Sequence, residues 1–205
     1  MKVITAEQGS PEWLAARAGK VTASMISNVL AKPETAAYRD YQAQIVAELL
    51  TGKPQGSDFI NEAMQFGTEN EPFARSAYEV SRGIMVDEVG LVLHPTIDRA
   101  GASPDGLVGS DGLVEIKCPK VATHLSYICA GVVPTKYKNQ MLWQMACTER
   151  QFCDFVSFRP DLPEHLQLFV VEFKRDETKI KELTTAVNAF LAQVDEMLTK
   201  LKGIK

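Results

Sequence analysis

"AGASPDGLVGSDGLVEIKCPK", Ala100 to Lys120, sets Asp105, Glu115 and Lys117 into an otherwise apolar, Gly-rich segment. Charges on a core strand are costly unless they are paired or hold a metal ion. Side chains alternate along a strand, so Glu115 and Lys117 share one face while Ile116 points the other way. Asp105 follows Pro104 at the end of the preceding strand-like run, and a hairpin through "GLVGSDG" lets it reach the same corner. The competing reading makes Pro-Asp-Gly a type I turn and Glu115/Lys117 a solvent-facing pair on an amphipathic strand. Leu113, Val114 and Ile116 weigh against it, because they mark a buried strand, where a charged pair is more often a site.

Two carboxylates and an ammonium on one face suit metal-assisted phosphodiester hydrolysis. Hard oxygens hold Mg²⁺, the ion polarises the phosphate, and the lysine steadies the attacking water or the transition-state charge. Carboxylates favour Mg²⁺ over zinc. The four cysteines (Cys118, Cys129, Cys147, Cys153) and three histidines (His94, His124, His165) lack zinc-site spacing and are expected as reduced, mostly buried thiols and unliganded rings.

Outward from this stretch, the β-rich runs "IMVDEVGLVLHP", "RAGASPDGLVG", "GLVEIKCP", "QFCDFVSFRP" and "LQLFVVEFKR" predict a central mixed sheet. Helices are predicted over Pro11 to Gly19, in "TASMISNVLAK", over "AAYRDYQAQIVAELLTGKP", from Asn61 to Arg82 with a bend near Gly67 and Pro72, and from Pro134 to Cys147. A long amphipathic helix from Asp176 to Lys202 closes the chain. The fold class expected is α/β or α+β, a mixed sheet flanked by helices, in a single domain over 1–205.

The chain has 205 residues, 45% of them hydrophobic, enough for a sizeable core. A net charge of −4 argues against a general polyanion binder, although a local basic groove can sit in an acidic shell. No run of 18 apolar residues occurs, and "MKVITAEQGSPEW" lacks the basic-then-apolar pattern of a signal peptide. A cytoplasmic protein with no membrane association is expected. "GLVGSDG" lacks the Gly-Lys-Ser/Thr end of a phosphate-binding loop, and "GASPDG" is no nucleophile elbow. Trp13, Tyr38, Tyr41 and Trp143 sit at helical spacings that suit packing and are assigned no role.

"SPDG" followed by "EIKCP" resembles the PD-(D/E)xK nuclease motif in the form carried by the lambda exonuclease and YqaJ viral recombinase family. "QGSPEWLAARAGKVTAS" resembles that family's N-terminal motif, "FGTENEPFARSAYE" its G-x-x-x-E helix, and "YKNQMLWQM" its Gln-bearing helix, in the same order. The resemblance spans Gln8 to Met145 and implies a restriction-endonuclease-like core. It implies metal ligation by Asp105, Glu115, Glu71 and the Ile116 carbonyl, with Lys117 as the catalytic lysine. Two Mg²⁺ ions are expected, with Mn²⁺ able to substitute. Arg17, Ser24 and Gln140 match the residues that hold the terminal 5′-phosphate.

The activity implied is 5′ to 3′ digestion of one strand at double-stranded DNA ends, in a bacterial host cell. The resulting 3′ single strand would serve a single-strand annealing protein in phage recombination. A homotrimeric ring is implied by the resemblance alone. The alternatives are an endonuclease or junction resolvase of the same fold, and a non-catalytic DNA-binding module.

Overall fold

The structure is a computed structural model that describes residues 1–55 and 62–204. Asn61, the expected start of the fourth helix, lies outside them. The strands form two mixed sheets rather than the single sheet expected. The smaller joins β1 (Lys2–Ile4), β2 (Val21–Thr22), β4 (Leu91–Leu93) and β5 (Ala100–Ala102) in the order β1-β4-β5-β2. The larger joins β3 (Val86–Asp87), β6 (Gly106–Val108), β7 (Gly112–Lys117), β8 (Phe152–Phe158) and β9 (Leu168–Lys174) in the order β3-β6-β7-β8-β9.

The run "RAGASPDGLVG" is thus two strands, β5 in one sheet and β6 in the other, and Ser103-Pro104-Asp105 is the crossing between them. Pro104 has no N–H to give a ladder, so pairing must lapse there. The hairpin is tighter than expected: "GLV" is itself β6, and Gly109 turns the chain at φ 53° into β7. β7 pairs antiparallel with β6 from Gly112↔Val108 to Val114↔Gly106, and parallel with β8 along its whole length. Its last residues therefore have β8 on one side and an open edge on the other.

Around the sheets lie α1 (Pro11–Arg17), a 3-10 turn (Ala23–Met25) leading into α2 (Ile26–Val29), and α3 (Ala36–Thr51). They are followed by α4 (Glu62–Arg82), α5 (Val121–Ala130), α6 (Thr135–Thr148), α7 (Glu164–Gln167) and α8 (Glu177–Lys202). Two of the helix starts carry side-chain caps: Ser10 accepts from the Trp13 N–H with Pro11 next to it, and Asp176 accepts from the Lys179 N–H at 3.0 Å. Gly52 ends α3 in the left-handed region at φ 66°. Pro72 lies inside α4, which continues through it. The helix α5 was not foreseen.

Side-chain alternation sorts β7 and β8 onto two cores. Leu113, Cys153 and Phe155 face a large core shared with α3, α6 and α8, where Met141, Trp143, Met145, Val187 and Phe190 are buried. Each such side chain contributes about 1.5–3 kcal/mol by leaving water. Val114, Ile116 and Val156 face a smaller core capped by Ala74 and Tyr78 of α4. Hence α6 covers one face of β7 and α4 the other, and the two helices flank its carboxyl end. Tyr38 and Tyr41 pack on Phe190 as the sequence suggests. Cys147 and Cys153 are buried, Cys118 is half-buried and Cys129 is exposed, all as free thiols.

Asp154 of β8 is buried beneath α4, with the Tyr78 hydroxyl donating at 2.8 Å and Arg82 at 3.3 Å to one carboxylate oxygen. Removing the hydroxyl leaves the buried carboxylate with Arg82 alone. Tyr78→Phe is therefore expected to lower stability by about 1–3 kcal/mol. Urea unfolding monitored by far-UV circular dichroism measures this, and an unchanged midpoint would show the bond contributes nothing.

Candidate active site

Glu115 faces α6 and is fully buried, so the solvent-facing reading of the Glu115/Lys117 pair is excluded. Gln140 donates to its Oε1 and Gln144, one turn further along α6, donates to its Oε2, each at 2.6 Å. Lys117, on the same face of β7, forms an ion pair with Oε1. Asp105, on the crossing between the sheets, lies 3.9 Å from the Lys117 ammonium, and its Oδ2 accepts the Ile116 N–H at 2.6 Å. A strand residue's N–H and carbonyl project to the same side. The Ile116 carbonyl therefore points to the Asp105 side too, beyond the end of the β6 ladder at Val114.

Burial raises the Asp105 carboxyl to about 8, and Glu115 adds to the effect because two acids share the corner; Lys117 opposes it only in part. Burial disfavours the Lys117 ammonium, but Glu115 and Asp105 outweigh it and hold the pKa above its ordinary value. Lys117 is thus charged at neutral pH. Such an excess of buried acid is what a divalent cation relieves, and the donors on offer are hard oxygens: Asp105, Glu115 and the Ile116 carbonyl. They fit Mg²⁺. Among the described residues no three His, Cys, Asp or Glu side chains gather to hold an ion by side chains alone, which leaves the main-chain carbonyl as the third donor.

Glu71 sits on α4 across the same cleft. Its carboxylate is bridged to Arg75 at 2.9 Å, and Arg75 reaches Glu88 at 2.6 Å. Burial raises the Glu71 pKa, with Arg75 and Lys117 opposing and Glu115 adding to the rise. It therefore feels the acid pair without joining it. The cleft, about 390 Å³, is lined by Gly67, Thr68 and Glu71 of α4, by Ile116 to Pro119, and by Tyr137 of α6. Arg159 ties its walls together, stacking on Phe66 at 4.3 Å and donating to the Pro119 carbonyl at 3.2 Å.

Arg17 and Ser24 come together in a second pocket of about 190 Å³ with Lys20, Thr22 and Gln44. The Arg17 guanidinium lies 3.4 Å from both the Thr22 and Ser24 hydroxyls. Burial lowers its pKa while Tyr41 and Glu48 oppose that. Gln140 is not in this pocket; its amide goes to Glu115.

Sequence reasoning missed Gln144, although its place at i+4 from Gln140 on a helix that touches the strand was a usable signal. It also missed Trp13. The indole carries the Arg17 guanidinium at 3.9 Å on its face and donates to the Ser103 hydroxyl at 2.9 Å, while Gln8 donates to the Pro104 carbonyl at 2.8 Å. The N-terminal segment thereby holds the loop that carries Asp105. The i, i+4 spacing of Trp13 and Arg17 was legible, but the cross-chain bond to Ser103 was not.

Comparison with known proteins places the chain in a family. Residues 12–151 match the family described as the YqaJ-like viral recombinase domain. The chain is similar to an alkaline exonuclease, LHK-Exo, from Laribacter hongkongensis, at 48% identity and a TM-score of 0.88, over 94% of this chain and 96% of that one. The same exonuclease has been crystallised in complex with dAMP. A phage-related exonuclease from Haemophilus somnus shares the fold, with 17% identity and a TM-score of 0.69 over 89% of this chain and 96% of that one. The chain is also 26% identical over 209 residues to Uncharacterized protein R354 of Acanthamoeba polyphaga mimivirus; the match covers 95% of this chain and only 37% of that longer protein.

Proposed function

The chain belongs to the YqaJ-like viral recombinase family and is a nuclease related to the alkaline exonucleases, and from that premise we propose that it is a Mg²⁺-dependent exonuclease that digests one strand of linear double-stranded DNA in the 5′ to 3′ direction. The observation that carries the reading is the convergence of Asp105, Glu115, Lys117 and the Ile116 carbonyl at the end of β7, where Ile116 and Lys117 line a cleft between α4 and α6. When bound there, Mg²⁺ supplies a Lewis acid for the phosphate and acidifies the attacking water.

The chain's own residues do the rest. Gln140 and Gln144 fix the Glu115 carboxylate so that it meets the cleft in one orientation. Lys117 presents a fixed positive charge to the phosphate as charge develops on its oxygens. Arg17, with Thr22 and Ser24, offers a cation and hydroxyls to a terminal 5′-phosphate. The crystallisation of LHK-Exo with dAMP supports a deoxynucleoside monophosphate as the kind of molecule such a site accepts. The 3′ single strand left behind would feed a single-strand annealing protein during phage recombination. Phe73 and Val80, one above the other on α4, and Met85 beyond it are exposed apolar residues that a homotrimer would cover.

The test uses linear duplexes ending in 5′-phosphate or 5′-hydroxyl and a closed circular duplex. Wild type is expected to degrade only the linear forms and to prefer the 5′-phosphate. Arg17→Ala is expected to lose most on the 5′-phosphate and little on the 5′-hydroxyl substrate, because it removes a contact only the former makes. Cutting of circles would make the protein an endonuclease. An equal loss on both linear substrates would remove Arg17 from end recognition.

A further inference from the structure

We propose that Lys20 sets the charge of the pocket that receives the 5′ end, and with it the preference for a terminal phosphate over a terminal hydroxyl. The inference rests on the reading of the Arg17 pocket as the 5′-phosphate site. Among the described residues, the charged lining of that pocket is Arg17, Lys20 and Glu48. Arg17 and Glu48 cancel, so Lys20 is the charge left over.

Glu48 is 6% exposed, and its hydrogen bonds all come from N–H groups. Its Oε2 accepts from the Gly19 N–H at 2.7 Å, and its Oε1 accepts from the Gln44 amide at 3.0 Å and the Gln55 N–H at 3.1 Å. An ionised carboxylate, which only accepts, is the form that serves three such donors. Gly19 lies between the two cations in the chain, and Gln55 lies beyond the end of α3. Glu48 therefore fastens the turn that joins Arg17 to Lys20 onto α3 and the segment after it. That fastening puts a negative charge in the wall of an anion pocket.

No ion pair joins Glu48 to either cation among the described residues, and both feel it across the pocket. Burial lowers the pKa of Arg17 and of Lys20, opposed by Tyr41 and Glu48 at Arg17 and by Glu48 at Lys20. The close partners of the Arg17 guanidinium are neutral: the Trp13 ring at 3.9 Å and the Thr22 and Ser24 hydroxyls at 3.4 Å. Lys20 is half-buried beside it. Val21 turns its side chain into the core, and Lys20 and Thr22 on either side of it both line the pocket. A phosphate monoester carries about −1.5 to −2 charge at pH 7 and a hydroxyl carries none. Only with Lys20 does the pocket present that difference with a net positive charge.

Initial degradation rates are measured on linear duplexes ending in 5′-phosphate or 5′-hydroxyl, and the ratio of the two is the readout. Lys20→Gln is expected to lower the ratio about tenfold, the size of one charge-assisted contact. Lys20→Glu is expected to lower it further and Lys20→Arg to keep it. The sharpest variant combines Lys20→Gln with Glu48→Gln. It removes one charge of each sign, leaves Arg17 as the net charge, and is expected to return most of the lost ratio. Its melting temperature is expected to fall, because one amide oxygen cannot serve all three donors as a carboxylate does.

A Lys20→Gln ratio equal to the wild-type value overturns the proposal, as does a folded double variant whose ratio stays as low as that of Lys20→Gln. Should the double variant not fold, the Lys20 series decides: ratios that do not descend from Arg through Gln to Glu overturn it. In each case an Arg17→Ala variant that still lowers the ratio leaves the 5′-phosphate pocket standing. A wild type that shows no preference for the 5′-phosphate overturns both.

Discussion

Asp105→Asn is expected to cut DNA hydrolysis by about 10³-fold or more while making the metal-free protein more stable at pH 8. The two effects have one cause. Asn keeps an oxygen to accept the Ile116 N–H, so the loop stays anchored, but it removes a negative charge from a corner that already holds Glu115. In the folded protein the Asp105 carboxyl binds its proton up to about 8, far above its unfolded value near 3.8. Between those values the folded state holds more protons than the unfolded state, so stability falls as pH rises through the window. Thermal melts in EDTA between pH 5 and pH 8 should show this decline in the wild type. The Asn variant should show a flatter profile, and Mg²⁺ should flatten the wild-type profile by taking the proton's place. A variant that keeps near-normal turnover would remove Asp105 from the chemistry; a variant with the wild-type pH slope would show that Asp105 carries no excess charge.

How far this corner was legible depends on the range of each interaction. Glu115 and Lys117 share a strand, and alternation alone put them on one face. The apolar Leu113, Val114 and Ile116 showed that the strand is buried. Helix ends were legible for the same reason, since Pro11, Asp176 and Gly52 act within a few residues of themselves. The split into two sheets was not. Pro104 marked a break, but only the pairing of β5 with β2 and β4, and of β6 with β3 and β7, decides which sheet each piece joins. The same limit hid the Trp13–Ser103 bond, which links residues 90 apart. Nor did it show that the Gln140 amide meets Glu115. Its helix lies between the Arg17 pocket and β7, touching the turn at Ala23–Met25 as well as the sheet. A pattern along the helix cannot say which neighbour its amide chooses. Both oxygens of a buried carboxylate needed donors, and Gln140 and Gln144 are the amides on the face that meets it.

Lys117→Ala should separate catalysis from metal binding. The ammonium is the nearest cation to the buried Glu115, and its removal leaves that carboxylate with two neutral amides for partners. Breaking a buried ion pair from one side costs about 3–5 kcal/mol, so the metal-free variant should melt well below the wild type. Mg²⁺ should recover much of the loss, because a divalent ion neutralises the same acids, and the variant should gain more from it than the wild type does. Titration calorimetry should find Mg²⁺ binding no weaker, since a competing cation has gone. Hydrolysis should still fall by ~10²-fold or more, because the charge facing the phosphate oxygens is missing however well the metal is held. Lys117→Arg should not rescue it: a planar guanidinium cannot put a compact charge where the ammonium meets both acids. If Mg²⁺ binding disappears together with activity, Lys117 is holding the acid pair in shape rather than acting on substrate. The catalytic charge would then have to come from another residue of the cleft.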